Sequence, residues 1–160
     1  MLVTLKEIMR PISEHNLDDI YIVMEMVHED LADSIKSRNR AYESCSHQSA
    51  APLNVQLIMN QLLRALQYLH SGNVLHGDLK HQNILITENQ TIKICDFGLA
   101  GIIQELGMSH RVIAKNYRPP ELFLRCTGNR FHYSPDVYAW SMGCIFANFL
   151  LQPLASSLVS

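Results

Sequence analysis

Apolar residues along this chain fall into short runs, one helical stripe and one long uninterrupted block, with polar turns between them. Residues 2–9 and 21–26 read as two strands, the second being the run Tyr-Ile-Val-Met-Glu-Met, and residues 10–19 form a polar turn between them. Residues 30–37 read as a short helix with Asp30 as its N-cap. Residues 38–51 are small, polar and without periodicity, which predicts a surface insert. From Val55 to Ser71, Val55, Ile58, Met59, Leu62, Leu66 and Leu69 recur at helical spacing and define one buried stripe. Asn54 supplies the N-cap of this helix, and Gly72 is expected at its C′ position. Residues 138–151 are apolar on nearly every side and predict a buried helix. Asn148, Gln152 and Pro153 interrupt the block, so it falls short of the ~20 apolar residues that span a bilayer.

Composition narrows the class. Of 160 residues, 48% are hydrophobic and 18% charged, the balance of a globular domain with a real core. A net charge of −2 makes no electrostatic case for nucleic acid or for an anionic membrane surface. The four cysteines, Cys45, Cys95, Cys126 and Cys144, are scattered, with neither a CxxC pair nor a close ligand pair. They read as reduced thiols of an intracellular protein, cytoplasmic or nuclear. The first residues carry charge too early for a signal peptide.

The chemistry concentrates in residues 75–98, LHGDLKHQNILITENQTIKICDFG. A loop dense in Asp, Lys, His and Asn leads into a short apolar strand, a polar turn, a second strand and Asp-Phe-Gly. A hairpin returns its second strand to the start of its first, so Asn83 and Asp96 are expected to meet. Two oxygen ligands suit a hard cation such as Mg²⁺, which keeps substrate phosphates as further ligands. Asp78 is then left to accept a proton from a hydroxyl nucleophile. That is the layout of a phosphoryl-transfer site.

The loop, the strand pair and the Asp-Phe-Gly, in this order and spacing, resemble the eukaryotic protein kinase pattern H-R-D-L-x-x-x-N followed by D-F-G. The wider text, YLHSGNVLHGDLKHQNILI and IKICDFGLA, is similar to the MAP kinase branch. The resemblance implies an α+β, protein-kinase-like fold in truncated form: the last strands of the N-lobe, the hinge and the first half of a mainly helical C-lobe. Residues 1–26 would be the N-lobe remnant and hinge, and residues 27–160 an incomplete C-lobe. It implies ATP and Mg²⁺ as cofactors. Asp78 would be the catalytic base, Lys80 would neutralise the transferred phosphoryl group, and Asn83 and Asp96 would hold Mg²⁺. Met24 would be the gatekeeper, Glu25 and Met26 part of the hinge around adenine, Asp30 a residue near the ribose, and Leu85 the floor under adenine. Protein serine or threonine hydroxyls would be the acceptors, with Lys115 and Arg118 near a pocket for Ser/Thr-Pro sites.

The chain also departs from that pattern. Gly77 stands where the family has the arginine that pairs with a phosphorylated activation loop, and His81 replaces a proline. Ser109-His110-Arg111 occupies the place of Thr-x-Tyr, so dual phosphorylation is not available. Ala114 replaces a threonine that aligns Asp and Lys, and Pro119-Pro120-Glu121 matches A-P-E with one change. The family's buried aspartate on the long helix falls on Tyr138, with Asp136 two residues early, so this anchor is either shifted or missing. Measured against the resemblance, these residues would lack a Gly-rich loop, a V-A-I-K lysine, its partner glutamate helix and the later C-lobe helices. The expectation is a chain that folds poorly alone, or is a gene fragment or splice product, and whose exposed surfaces a partner protein covers. The alternative to a kinase is a pseudokinase or decoy that binds a partner without transferring phosphate.

Overall fold

A computed structural model describes residues 1–9, 20–43, 52–102, 114–122 and 136–155. The predicted turn at 10–19, the end of the insert at 44–51, Cys45, Cys126 and Ser109-His110-Arg111 lie outside the described residues.

The first strands are β1 (Leu5–Met9) and β2 (Tyr21–Met24), an antiparallel pair in which Met9 faces Tyr21 and Leu5 faces Met24. Every residue of both strands is exposed. The strands are shorter than predicted. Leu2 instead forms a parallel bridge to Ile94, with Val3 N donating to Ile94 O and Ile94 N to Met1 O, which draws residues 1–3 onto a different sheet. Beyond Met24, Glu25 still bonds the residue before β1 and also reaches out of the ribbon to Lys93. Its backbone N donates to Thr4 O at 3.0 Å, its side chain accepts from Thr4 N at 2.7 Å, and its carboxylate pairs with Lys93. A two-stranded ribbon is marginal alone; the Glu25–Lys93 pair and the bonds of residues 1–3 to Ile94 join it to the rest of the fold.

β3 (Glu29–Asp30) opens α1 (Leu31–Glu43), and Asp30 caps it by accepting from Asp33 N at 2.8 Å. The helix therefore overruns the predicted end at Ser37 and takes in the first residues of the expected insert. Arg38, Arg40, Ala41 and Glu43 are good helix formers, but they carry no apolar stripe, so periodicity missed them. α2 spans Val55–Ser71, as read from sequence, and Asn54 accepts from Leu57 N at 3.0 Å. Its end differs in one respect. Gly72 has φ −91°, and the left-handed residue is Asn73, with φ 57°. Asparagine tolerates that region better than most side chains.

β4 (Val74–Leu75), β5 (Ile84–Ile86), β6 (Ile92–Ile94) and β7 (Gly101–Ile102) follow, then α3 (Asp136–Ala155). β3, β5 and β6 form one antiparallel sheet in that order, and β4 pairs with β7. α3 is longer than the expected 138–151 at both ends.

The core lies between α2, the β5–β6 hairpin, the start of α1 and one side of α3. Leu31, Ile58, Leu62, Leu79, Ile84, Ile92, Ile94 and Ile145 are fully buried. Each such side chain contributes roughly 1.5–3 kcal/mol, so this cluster carries the fold. The loop between β4 and β5 crosses directly over it. The other side of α3 is exposed at Trp140, Phe146, Leu150 and Leu151.

Candidate active site

Residues 76–83 run from β4 to β5 and end in a single 3-10 turn, His81–Asn83. Leu79 is buried in the core beneath them, which pins the loop from below. Asp78 and Asn83 are 8% and 5% exposed, so their polar groups need partners inside the protein. They find each other. Asn83 Nδ2 donates to Asp78 O at 2.7 Å and to Asp78 Oδ2 at 3.1 Å. Lys80 Nζ forms an ion pair with the same Oδ2. Two of the predicted site residues, Lys80 and Asn83, thus converge on the carboxylate of a third, Asp78.

The hairpin adds the fourth. Ile84 faces Ile94 and Ile86 faces Ile92 across β5–β6, and beyond the Ile84–Ile94 pair Cys95 N donates to Asn83 O at 3.0 Å. Asp96 follows immediately, with φ 62°, its Oδ1 accepting from Gly98 N at 3.3 Å. The expected meeting of Asn83 with the Asp-Phe-Gly end is therefore a backbone contact one residue from Asp96. A left-handed aspartate is uncommon and turns the side chain out of the strand; Asp96 is exposed.

His76, to which the sequence reading assigned no part, organises the site from behind. It is 0% exposed. Its Nδ1 accepts from Asp78 N at 3.3 Å, so Nε2 carries the proton and donates to Cys95 O at 2.8 Å. Its ring meets Phe97 edge-on at 4.9 Å. Burial lowers its pKa, against smaller opposing effects of the Cys95 carbonyl, Asp78 and Asp96. A neutral histidine thus ties the Asp78 loop to the Asp96 end. Its sequence signal is that it stands at the first position of the H-R-D-L-x-x-x-N pattern.

The two departures at Gly77 and His81 have structural counterparts. Gly77 takes φ 84°, and its backbone N–H donates to the Tyr138 hydroxyl at 2.7 Å. Tyr138 is 4% exposed and packs on His70 with ring centroids 5.2 Å apart. The anchor from the long helix is present, supplied by a phenol. His81 Nδ1 lies 2.6 Å from Tyr117 Oη, and Ser141 Oγ of α3 donates to Tyr117 O at 2.9 Å.

The remaining predicted residues sit around this centre. Leu85 is half-buried in β5, with Asp30 opposite it on one side and Lys93 on the other. Asp30 spends one oxygen on the α1 cap. Met24 closes β2 at 50% exposure, and Met26 is 78% exposed. The Lys93 ammonium and the Thr4 backbone hold the Glu25 carboxyl down at about 2. An open cleft of about 540 Å³ is lined by Lys80, Gln82, Asn83, Ala114, Lys115, Asn116 and Tyr117. It joins two site residues to the segment before Pro119.

The protein kinase domain model matches residues 1–157, and the chain belongs to the protein kinase family. It is 40% identical over 149 residues to mitogen-activated protein kinase 14 of Arabidopsis thaliana, covering 93% of this chain and 37% of that one. Mitogen-activated protein kinase homolog 1 of Petunia hybrida is 40% identical over 151 residues, covering 93% and 36%. Mitogen-activated protein kinase 4a of Physcomitrium patens is 39% identical over 150 residues, with the same coverage. The chain thus spans little more than a third of the length of these relatives. Among the described residues, no helix is long and apolar enough to cross a membrane.

Proposed function

We propose that this chain carries the phosphoryl-transfer centre of a MAP-kinase-like serine/threonine kinase, moving the γ-phosphoryl group of ATP to protein hydroxyls. The observation that supports it is the shared engagement of Asp78 Oδ2 by Lys80 and Asn83. Both donors use the same oxygen, and among the described residues none bonds Oδ1. That oxygen is the proton acceptor. As the acceptor oxygen bonds phosphorus and the bond to the ADP oxygen breaks, its proton passes to Asp78. The Lys80 ammonium offsets charge on the phosphoryl group, and the loop's buried bonds keep both groups aligned without reorganisation.

The donor set suits Mg²⁺. Asn83 spends its Nδ2 on Asp78, which turns its amide oxygen away from that carboxylate, and Asp96 is exposed beside it. Two protein oxygens leave room for phosphate and water, as Mg²⁺ prefers. When bound there, the cation would offset phosphate charge. Leu85 would lie under adenine, Asp30 near the ribose, and Met24, Glu25 and Met26 along its edge. Residues 1–26 are then the N-lobe side of the site, residues 27–160 the C-lobe side, and Ser/Thr-Pro acceptors the finer substrate reading.

A second reading, binding of a partner without transfer, is favoured by the exposed apolar ribbon, where Ile8, Ile22 and Met26 are 59%, 58% and 78% exposed. Incubation with γ-labelled ATP, Mg²⁺ and a generic basic protein decides between them. Transfer that disappears in Asp78→Asn supports the kinase. Absence of transfer in the wild type, or transfer indifferent to Asp78→Asn, contradicts it.

A further inference from the structure

We propose that His81 is a positioning residue: it latches the segment after residue 114 to the catalytic loop through Tyr117 and so keeps the acceptor side of the site in shape. The functional consequence rests on the phosphotransfer reading; the latch itself rests on geometry alone.

His81 is 2% exposed and lies in the 3-10 turn between Lys80 and Asn83. A side chain there is rigidly tied to both. Its Nδ1 is 2.6 Å from Tyr117 Oη, with the rings 5.6 Å apart, and Phe149 of α3 packs edge-on at 6.3 Å. Tyr117 is held at its other end as well. Its backbone O accepts from Ser141 Oγ at 2.9 Å, and its N–H donates to Ala114 O at 2.9 Å. Ala114, Lys115 and Asn116 then form one wall of the 540 Å³ cleft, with Lys80 and Asn83 on the other. The two walls belong to segments over thirty residues apart in sequence. The His81–Tyr117 bond joins them through side chains, and a proline at position 81 could not form it.

The cleft wall nearest Lys80 is where an acceptor peptide would lie, whereas nucleotide would sit on the Leu85 side. Loosening the latch should therefore weaken peptide binding and spare nucleotide binding. A residue that merely stabilised the fold would weaken both.

The experiment compares wild type, His81→Phe, Tyr117→Phe and the double variant. Amide hydrogen exchange is read over residues 114–122, and dissociation constants are measured for a serine-containing basic peptide and for Mg-ATP. Each single variant should speed exchange and raise the peptide constant about tenfold, with the double variant no worse than either. The Mg-ATP constant should stay within about twofold, and His81→Asn, whose amide reaches the Nδ1 position, should recover most of the loss. Unchanged exchange in the single variants, additive effects in the double, or parallel loss of peptide and nucleotide would overturn the proposal. Wild type that binds neither probe would sink the phosphotransfer reading, and the exchange cycle would then decide the latch alone.

Discussion

The Tyr138 hydroxyl accepts a hydrogen bond from the backbone N–H of Gly77 at 2.7 Å, deep between α3 and the loop of residues 76–83. Gly77 holds φ 84°, a region a side chain enters at a cost. The pair forms one device: the glycine turns its N–H inward, and the phenol arrives from the first turns of α3 to meet it. Tyr138→Phe leaves a buried N–H unpaired and should cost about 1–3 kcal/mol in urea unfolding. Gly77→Ala should cost about 1–2 kcal/mol from backbone strain. A Tyr138→Phe variant as stable as wild type would mean that the bond contributes nothing.

Asp78 and Asn83 separate chemistry from stability. Asp78→Asn should lower phosphotransfer by on the order of 10²–10⁴ while the folded state persists, because an amide can still occupy the carboxylate's place. Asn83→Ala removes the two Nδ2 bonds to Asp78, leaving only Lys80 on the carboxylate, and should lower transfer by on the order of 10²–10³. Single-turnover assays beside circular dichroism melts check both, and the melts should move far less than the rates.

Burial lowers the pKa of His76 and His81 from the ordinary 6.5, so both stay neutral in the folded chain at acidities where the unfolded chain protonates them. The unfolded state then binds more protons, and stability rises with pH. It should be level above about 6.5 and fall as pH drops below it, by up to about 1.4 kcal/mol per pH unit for each histidine still neutral. Glu25 adds a second acid step. Its carboxyl is held at about 2 against an ordinary 4.5, so its contribution is present above 4.5 and lost as pH falls through 2. Urea titrations from about pH 8 down to pH 3 should show the first decline flattened in His81→Asn.

Asn54 caps α2 at Leu57 N, and its own N–H donates to Gln90 Oε1 at 2.6 Å. Gln90 also bonds Gln61 Nε2 and Pro52 O, tying the hairpin turn to the start of the helix. Asn54→Ala should cost about 1 kcal/mol. Gln90→Ala should cost a comparable amount, and the two should add, since Asn54→Ala keeps the backbone N–H that Gln90 Oε1 accepts and removes only the side-chain cap.

What could be read from sequence followed from strong local signals. The α2 stripe and the β5–β6 hairpin were legible because period and spacing specify them, whereas Asp78, Lys80 and Asn83 stood out as a site through the resemblance to the kinase pattern. The tail of α1 was not, because Arg38 and Arg40 form helix without an apolar face. Nor were His76, Tyr117 and Tyr138 legible as site supports. Each acts through a bond to a residue distant in sequence, and a lone His or Tyr carries no local trace of its partner. Asp30 shows the opposite case, where a cap visible in sequence is the contact the structure contains.

The most direct test is a thermal melt of wild type and Asp96→Asn, each with and without Mg-ATP. A folded nucleotide site predicts a cooperative transition that Mg-ATP raises in the wild type and leaves in place in the variant. A transition indifferent to Mg-ATP, or raised equally in Asp96→Asn, would contradict the phosphoryl-transfer site proposed for this chain.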